Sequence, residues 1–234
     1  MTDFDAYAET YEDTLSTALA ISGESPHYFA RQRIRFLNAR LRRLRTRPVR
    51  SILDFGCGVG SAVPLVREEF APHRVVGLDV SKDSLDVARQ RYPGAAEFSL
   101  VHDYEPRQDI DLAFCNGVFH HIAPHARAGT LERIAQSLRP GGYFALWENN
   151  PWNPGARYVM ARCEFDRGAI MLSVRETVAL IRSAGLHVRE VRYMFIFPRA
   201  LRALRWSEPL LSGLPIGAQY QVLSQRPEQS RTAS

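Results

Sequence analysis

The chain nearly lacks lysine. Lys82 is its only one, although lysine and arginine together make 30 of the 234 residues. Arginine thus carries almost all the positive charge, a bias that reads as a GC-rich coding genome rather than as a face built for polyanions. Cysteine is also scarce: Cys57, Cys115 and Cys163 are an odd, scattered set with no C-x-x-C pair. That excludes the usual zinc and redox motifs and leaves three reduced thiols. No apolar run approaches the roughly 20 residues of a membrane span. The start, "MTDFDAYAETYEDTL", lacks the basic and then apolar order of a secretory signal, so the expected location is cytoplasmic. Repeats and low-complexity tracts are absent as well.

What is present is the composition of one globular domain, 45% hydrophobic and 24% charged. The net charge of +5 concentrates in "ARQRIRFLNARLRRLRTRPVR". There Ile34, Leu37, Leu41 and Leu44 fall on one helical stripe. A helix packed on the domain with a solvated basic face is the plain expectation. A surface for anionic lipid or for phosphates is the sharper one. Two helices, roughly 4–20 and 27–46, make an N-terminal helical cap over residues 1–48. The domain proper runs from 49 to 226, and 227–234 is expected to be a disordered tail.

From residue 50 onward strands and helices alternate. "RSILDF", "RVVGLDV", "AEFSLV", "IDLAFCN" and "YFALWE" read as strands, with "HVREVRYMFIF" and "AQYQVLSQ" last. Pro64 suits the first turn of a helix over "SAVPLVREEF". Ser81 caps the next helix, Ser173 and Glu176 form a capping box, and Gly185 ends that last helix. "LRPGG" reads as a turn, and 149–172 as a long irregular insert. Such alternation argues for a doubly wound, mostly parallel sheet with a final antiparallel strand. Ligands of such sheets sit beyond the carboxyl ends of the strands, so the loops after "LDF", "GLD", "LVHD", "FCN" and "LWE" should share one cleft.

The first of these loops is "SILDFGCGVGS". Gly56, Gly58 and Gly60 alternate behind an apolar strand that ends in Asp54. Glycine admits positive φ and lets a ligand lie against the main chain. The spacing differs from the G-x-G-x-x-G of nicotinamide enzymes, which disfavours a dehydrogenase. In D-x-G-x-G-x-G the chain resembles the class I S-adenosylmethionine-dependent methyltransferases. The resemblance implies a Rossmann-like fold and S-adenosylmethionine as cofactor. It also implies cofactor contacts from Asp54, Gly56, Cys57, Gly58 and Gly60. Asp79, with Val80 beside it, lies where its two oxygens can accept both ribose hydroxyls. Asp103 of "LVHD" would accept from the adenine amine, with Asp109 as the rival assignment. Asn116 marks the methionine end, and Tyr7 and Tyr11 lie on a leading helix that closes over the cofactor. "WENNPWNP" is similar to a bacterial subgroup with E-x-N-P-x-N-P after the fifth strand, which extends the resemblance over most of the chain.

A base matters where the methyl acceptor must lose a proton. His120 and His121, just past the fourth strand, and Glu148, at the end of the fifth, are the catalytic candidates. Asn150, Trp152 and Asn153 are the substrate-binding candidates, and the asparagines could equally pin the insert to the sheet. Asp109 and Asp111 lie at the wrong end of their strand to join a metal site, so no metal is expected. The expected reaction is methyl transfer to an oxygen or nitrogen of a small-molecule or lipid-linked acceptor. The alternatives are a methyltransferase acting on RNA, peptide or protein, and a protein that binds the cofactor without catalysis. Nucleic acid is disfavoured because Gly117, Val118 and Phe119 stand after Asn116 where amino-methylating nucleic-acid enzymes carry prolines.

Overall fold

The computed structural model describes residues 11–44 and 48–228. Tyr7 and the tail beyond 228 lie outside them. Seven strands form one sheet in the order β3-β2-β1-β4-β5-β7-β6. They are β1 (Ser51–Phe55), β2 (Arg74–Asp79), β3 (Glu97–Leu100), β4 (Ile110–Asn116), β5 (Leu138–Asn149), β6 (His187–Met194) and β7 (Gln219–Gln225). The first five pair in parallel, and β7 runs antiparallel to both β5 and β6. This is the expected doubly wound sheet with its reversed last strand.

Side chains that alternate along each strand build the two core layers. On β1, Ile52 packs with Ile34, Leu37 and Leu41 of α2 (Pro26–Leu44) and Val63 of α3 (Val63–Phe70). Its neighbour Leu53 faces the opposite layer, with Leu131 and Ile134 of α5 (Arg127–Ser137) and Ile181 of α7 (Val174–Ser183). The chain moves outward from β1 to β3 and then returns to lay β4 against the free side of β1. The loops after β1 and β4 therefore adjoin, at the point where ligands enter such sheets.

Local signals place the helices. Pro64 sits in the first turn of α3, Ser81 caps α4 (Lys82–Arg91), and Ser173 and Glu176 form both halves of a capping box on α7. The apolar stripe of α2 is buried from Ile34 to Leu41, while Leu44 is exposed. Its arginines are largely occupied: Arg31 pairs with Glu68, and Arg40 pairs with Glu190.

Four sequence expectations need correction. "LRPGG" belongs to β5 as a looped-out irregularity: Ile110 pairs with Leu138 but Leu112 pairs with Tyr143, so the turn is absorbed between two ladder positions. The insert is not irregular throughout, because Asn153 caps a helix within it, α6 (Pro154–Arg162), with Pro154 in the first turn. β6 stops at Met194 rather than at Phe197, because Phe195 takes a positive φ of 61° that breaks the ladder. After it, a 3-10 helix over Arg199–Ser207 and α8 (Glu208–Leu211) occupy a stretch assigned no structure from the sequence. At the N-terminus, α1 (Tyr11–Leu19) precedes α2.

Candidate active site

The loop after β1 is tied down from below. Gly56 and Cys57 donate their amide protons to Leu78 O at 2.7 and 2.9 Å, and Gly58 N donates to Asp79 Oδ2 at 2.8 Å. The glycines serve different needs. At Gly56, φ is +76° and a Cβ would stand 2.3 Å from Val118 Cγ2, so this glycine lets the loops after β1 and β4 touch. At Gly58, φ is +51° and a Cβ would meet nothing within 4 Å: the open space here is the cavity itself. Gly60 packs instead on Tyr92, Ala88 and Phe98.

Asp54 is buried beneath this loop. Burial, reinforced by the charge of Asp79, lifts its carboxyl to about 8, so it is largely protonated at neutral pH. Asp79 lines the cavity, and its Oδ1 accepts from Ser81 N at 2.9 Å. Val80 and Asn116 line it too, and Asn116 Oδ1 is buried with no hydrogen-bond partner. Three expected residues stand differently. The Cys57 thiol is buried, directed at Gly58 O at 3.7 Å, and outside the cavity lining. Asp103 ends a short 3-10 turn beyond β3, exposed and outside the cavity lining. Its rival Asp109 lies at the opposite end of the sheet, paired with Arg74 at 2.8 Å. Of Tyr11 only the backbone, at the start of α1, is described.

His120, His121 and Glu148 do come together, and Asp166 of the insert joins them. His120 Nδ1 lies 2.5 Å from Glu148 Oε2, and Glu148 Oε1 accepts from Phe119 N at 2.8 Å. On the other side His120 Nε2 is 3.2 Å from Asp166 Oδ1. His121 Nε2 is also 3.2 Å from that oxygen. Burial alone would depress the imidazole of His120, but Glu148 and Asp166 outweigh it and raise it to about 10. His120 is therefore an imidazolium at neutral pH, donating from both nitrogens. Burial pushes Asp166 upward, yet its bonds to the two histidines hold it below the ordinary carboxylate range. The ligand-type atoms of His120, His121 and Asp166 lie within 4.8 Å of one another, close enough to hold a metal ion together. Asp111, excluded as a metal ligand from sequence, accepts from Arg139 Nε at 2.6 Å and from Arg50 N at 2.8 Å.

Two residues of this arrangement escaped sequence reading. Arg127 is buried and donates to Phe119 O, Ile122 O and Ile170 O, clamping the histidine loop to the insert. Ile170 N adds a bond to His120 O at 2.8 Å. A basic residue in the first turn of a helix runs against the helix dipole, and that was the available signal for Arg127. Asp166 offered none beyond being an acid in the insert.

The asparagines of the insert mainly hold it in place. Asn150 is buried and donates to Pro215 O and Gly217 O, while Asn153 caps α6 and donates to Ile216 O. Of the three substrate candidates only Asn153 lines the cavity; Trp152 is 77% exposed and Asn150 lies beneath the turn. The roof comes from Leu15 and Leu19 of α1, Phe29 of α2, and Ala156 and Val159 of α6, closing a cavity of about 660 Å³. The leading helices thus do lie over the glycine loop, through Leu15, Leu19 and Phe29.

Residues 53–144 match the model of a methyltransferase domain family. A trans-aconitate 2-methyltransferase of Rhizobium leguminosarum is 29% identical over 69% of this chain and 66% of its own length. One from an Acidovorax strain is 28% identical over 71% of each. The chain thus spans about two thirds of the length of these curated relatives. In fold, it superposes with a TM-score of 0.66 on the chain solved in complex with the Haloferax volcanii Trm112 methyltransferase activator, at 21% identity, covering 97% of this chain and 99% of that one.

Residues 53–144 are thus similar to a methyltransferase domain, in keeping with the resemblance to the class I S-adenosylmethionine-dependent methyltransferases.

The family's cofactor, S-adenosylmethionine, suits the residues that border the glycine loop. The open space at Gly58 is the room a ligand needs against the main chain. Asp79 offers acceptor oxygens of the kind a ribose diol pairs with, and the orphaned Asn116 Oδ1 matches an ammonium donor.

Proposed function

We propose that this methyltransferase acts on an oxygen or nitrogen of an apolar small-molecule or lipid-linked acceptor, with His121 as the base. The observation that carries the reading is that His121 borders the same cavity as Gly58 and Asp79 and is held by Asp166. When bound, the cofactor supplies a methyl group already activated by its sulfonium.

The three catalytic candidates take different roles. Glu148 spends one oxygen on Phe119 N and the other on His120, so it positions rather than reacts. His120 already holds its proton at neutral pH and cannot take another. Asp166, held below the ordinary carboxylate range, lies 3.2 Å from His121 Nε2 and orients that ring. His121, which borders the cavity, is the side chain we assign to receive the acceptor's proton. The roof of α1 and α6 keeps water from the reacting atoms.

The lining argues for an acceptor unlike the tricarboxylate in the relatives' name. Arg33 and Arg205 border the cavity, but Arg33 is bonded to Gln219 and Arg205 to Glu24. The acids Glu24, Asp79, Asp166 and Glu208 border it as well, among leucines and phenylalanines. With Arg205 paired to Glu24 and His120 held between Glu148 and Asp166, such a lining favours an apolar body with one polar group over a polyanion.

The test is transfer of labelled methyl from S-adenosylmethionine into a host extract separated into aqueous, lipid and macromolecular fractions. The expected result is label in the lipid or apolar small-molecule fraction. His121→Ala should lower transfer about a hundredfold or more with cofactor affinity intact. Label in RNA or protein, or undiminished transfer by His121→Ala, would overturn the reading.

A further inference from the structure

The 3-10 helix after β6, with α8 and the turn that follows, turns its greasy side chains outward. Leu201, Leu204, Trp206, Leu210, Leu214 and Ile216 are all exposed, Trp206 at 75% and Leu210 at 79%. Single exposed leucines are ordinary, but a cluster of this size on a soluble surface marks a binding face. The segment is not loose. Arg205 anchors it, donating to Phe197 O, Glu24 Oε1 and Tyr28 OH. The cluster also continues past the segment. Arg199 bonds to Gly23 O, two residues from the exposed Ile21, and Asn150 ties Pro215 to the turn that carries the exposed Trp152.

Charge says what this face meets. Arg199 and Arg202 are exposed among the apolar side chains. The one acid between residues 199 and 216, Glu208, is turned inward to accept from Phe197 N. Leucines and tryptophans flanked by arginines, with no outward acid, form the pattern of a surface that sits in the headgroup region of an anionic bilayer. This face also frames the cavity, since Ile21, Pro198, Arg205 and Glu208 belong to its lining. None of the helices of the described residues is long and apolar enough to cross a membrane, so the contact is peripheral.

We propose that the face formed by residues 199–216, with Ile21 and Trp152 at its rim, docks on anionic lipid so that the cavity opens toward the bilayer. The acceptor then enters from the membrane as a lipid or lipid-linked molecule, a point that rests on the methyl-transfer reading above. The basic surface of α2, the place expected from sequence for such contact, has Arg31 and Arg40 committed to acids of the domain.

The experiment is flotation of the full chain with phosphatidylcholine vesicles, with and without phosphatidylglycerol, at low and high salt. Cofactor affinity is titrated on the same preparations. The expected result is flotation with phosphatidylglycerol that weakens with salt, and about tenfold weaker partitioning for Leu204→Gln combined with Trp206→Gln. In the unaltered chain, brominated acyl chains should quench tryptophan emission, a readout that needs no variant to fold. Absence of both flotation and quenching, or flotation unaffected by the double substitution, would overturn the proposal. So would self-association through this face, seen in sedimentation velocity as a dimer that the substitution dissociates. Normal cofactor affinity without vesicle binding rejects the docking face alone; lost cofactor affinity rejects the functional reading.

Discussion

Glu148 and His120 face each other at 2.5 Å in a place where water reaches neither: the two side chains are 1% and 3% exposed. Removing the charge of Glu148 leaves the buried His120 with Asp166 as its one remaining partner, which is costly. Glu148→Gln should therefore destabilise the fold by about 3 kcal/mol in denaturant titrations. The pH dependence has a definite sign. His120 is raised to about 10 from an ordinary 6.5, so its contribution is complete below pH 6.5 and is lost as pH rises through about 10. In Glu148→Gln the alkaline loss should begin at lower pH.

If His121 is the base proposed above, removal of Asp166 should be read in turnover. Asp166→Asn keeps the shape but removes the negative charge beside both histidines. Expected is a fall in kcat of about tenfold to a hundredfold, with KM for the cofactor unchanged. An unchanged kcat would make the residue merely structural.

Asp54 gives a second pH signature of the same sign in a lower pH window. Its carboxyl is raised to about 8 in the fold but ionises near 3.8 when unfolded. The folded chain thus binds the extra proton between those values, and stability falls as pH rises from about 4 to 8, by at most about 1.4 kcal/mol per pH unit. Asp54→Asn should flatten that slope in melts across the same range. A cationic ligand entering nearby favours the ionised form, so cofactor binding near pH 7 should release protons. Calorimetry in buffers of different ionisation enthalpy measures this.

The alternating glycines are separable by experiment. Gly56→Ala forces a Cβ to within 2.3 Å of Val118, at a positive φ, and should cost about 3 kcal/mol of stability. Gly58→Ala meets no protein atom within 4 Å and should cost only about 1 kcal/mol of backbone strain. Its effect should appear instead as weakened cofactor binding in a titration. Equal stability losses would refute the separate roles.

Residues close together in sequence explain what could be read in advance. Ser81 caps its helix through the amide of Ser84, three residues on, and the strands alternate over five or six residues, so local backbone rules suffice. Asp79 was legible because it ends the strand next to the glycine loop. Asp166 was not, because it reaches His120 across 46 residues and an insert without a regular pattern. The role of Trp152 was misjudged for a related reason: its turn was read correctly, but which way the turn faces depends on Asn150 reaching Pro215 and Gly217, 65 and 67 residues ahead.

By itself, then, the sequence determined the sheet, its caps and its glycine loop, because strand periodicity, capping and glycine φ are settled by neighbours along the chain. It also determined which loops would meet, since parallel strands send all their carboxyl ends to one edge. Only the tertiary structure decided that His120 keeps its proton. Protonation depends on burial and on carboxylates brought from β5 and the insert, 28 and 46 residues away, and pairing through space carries no local signature.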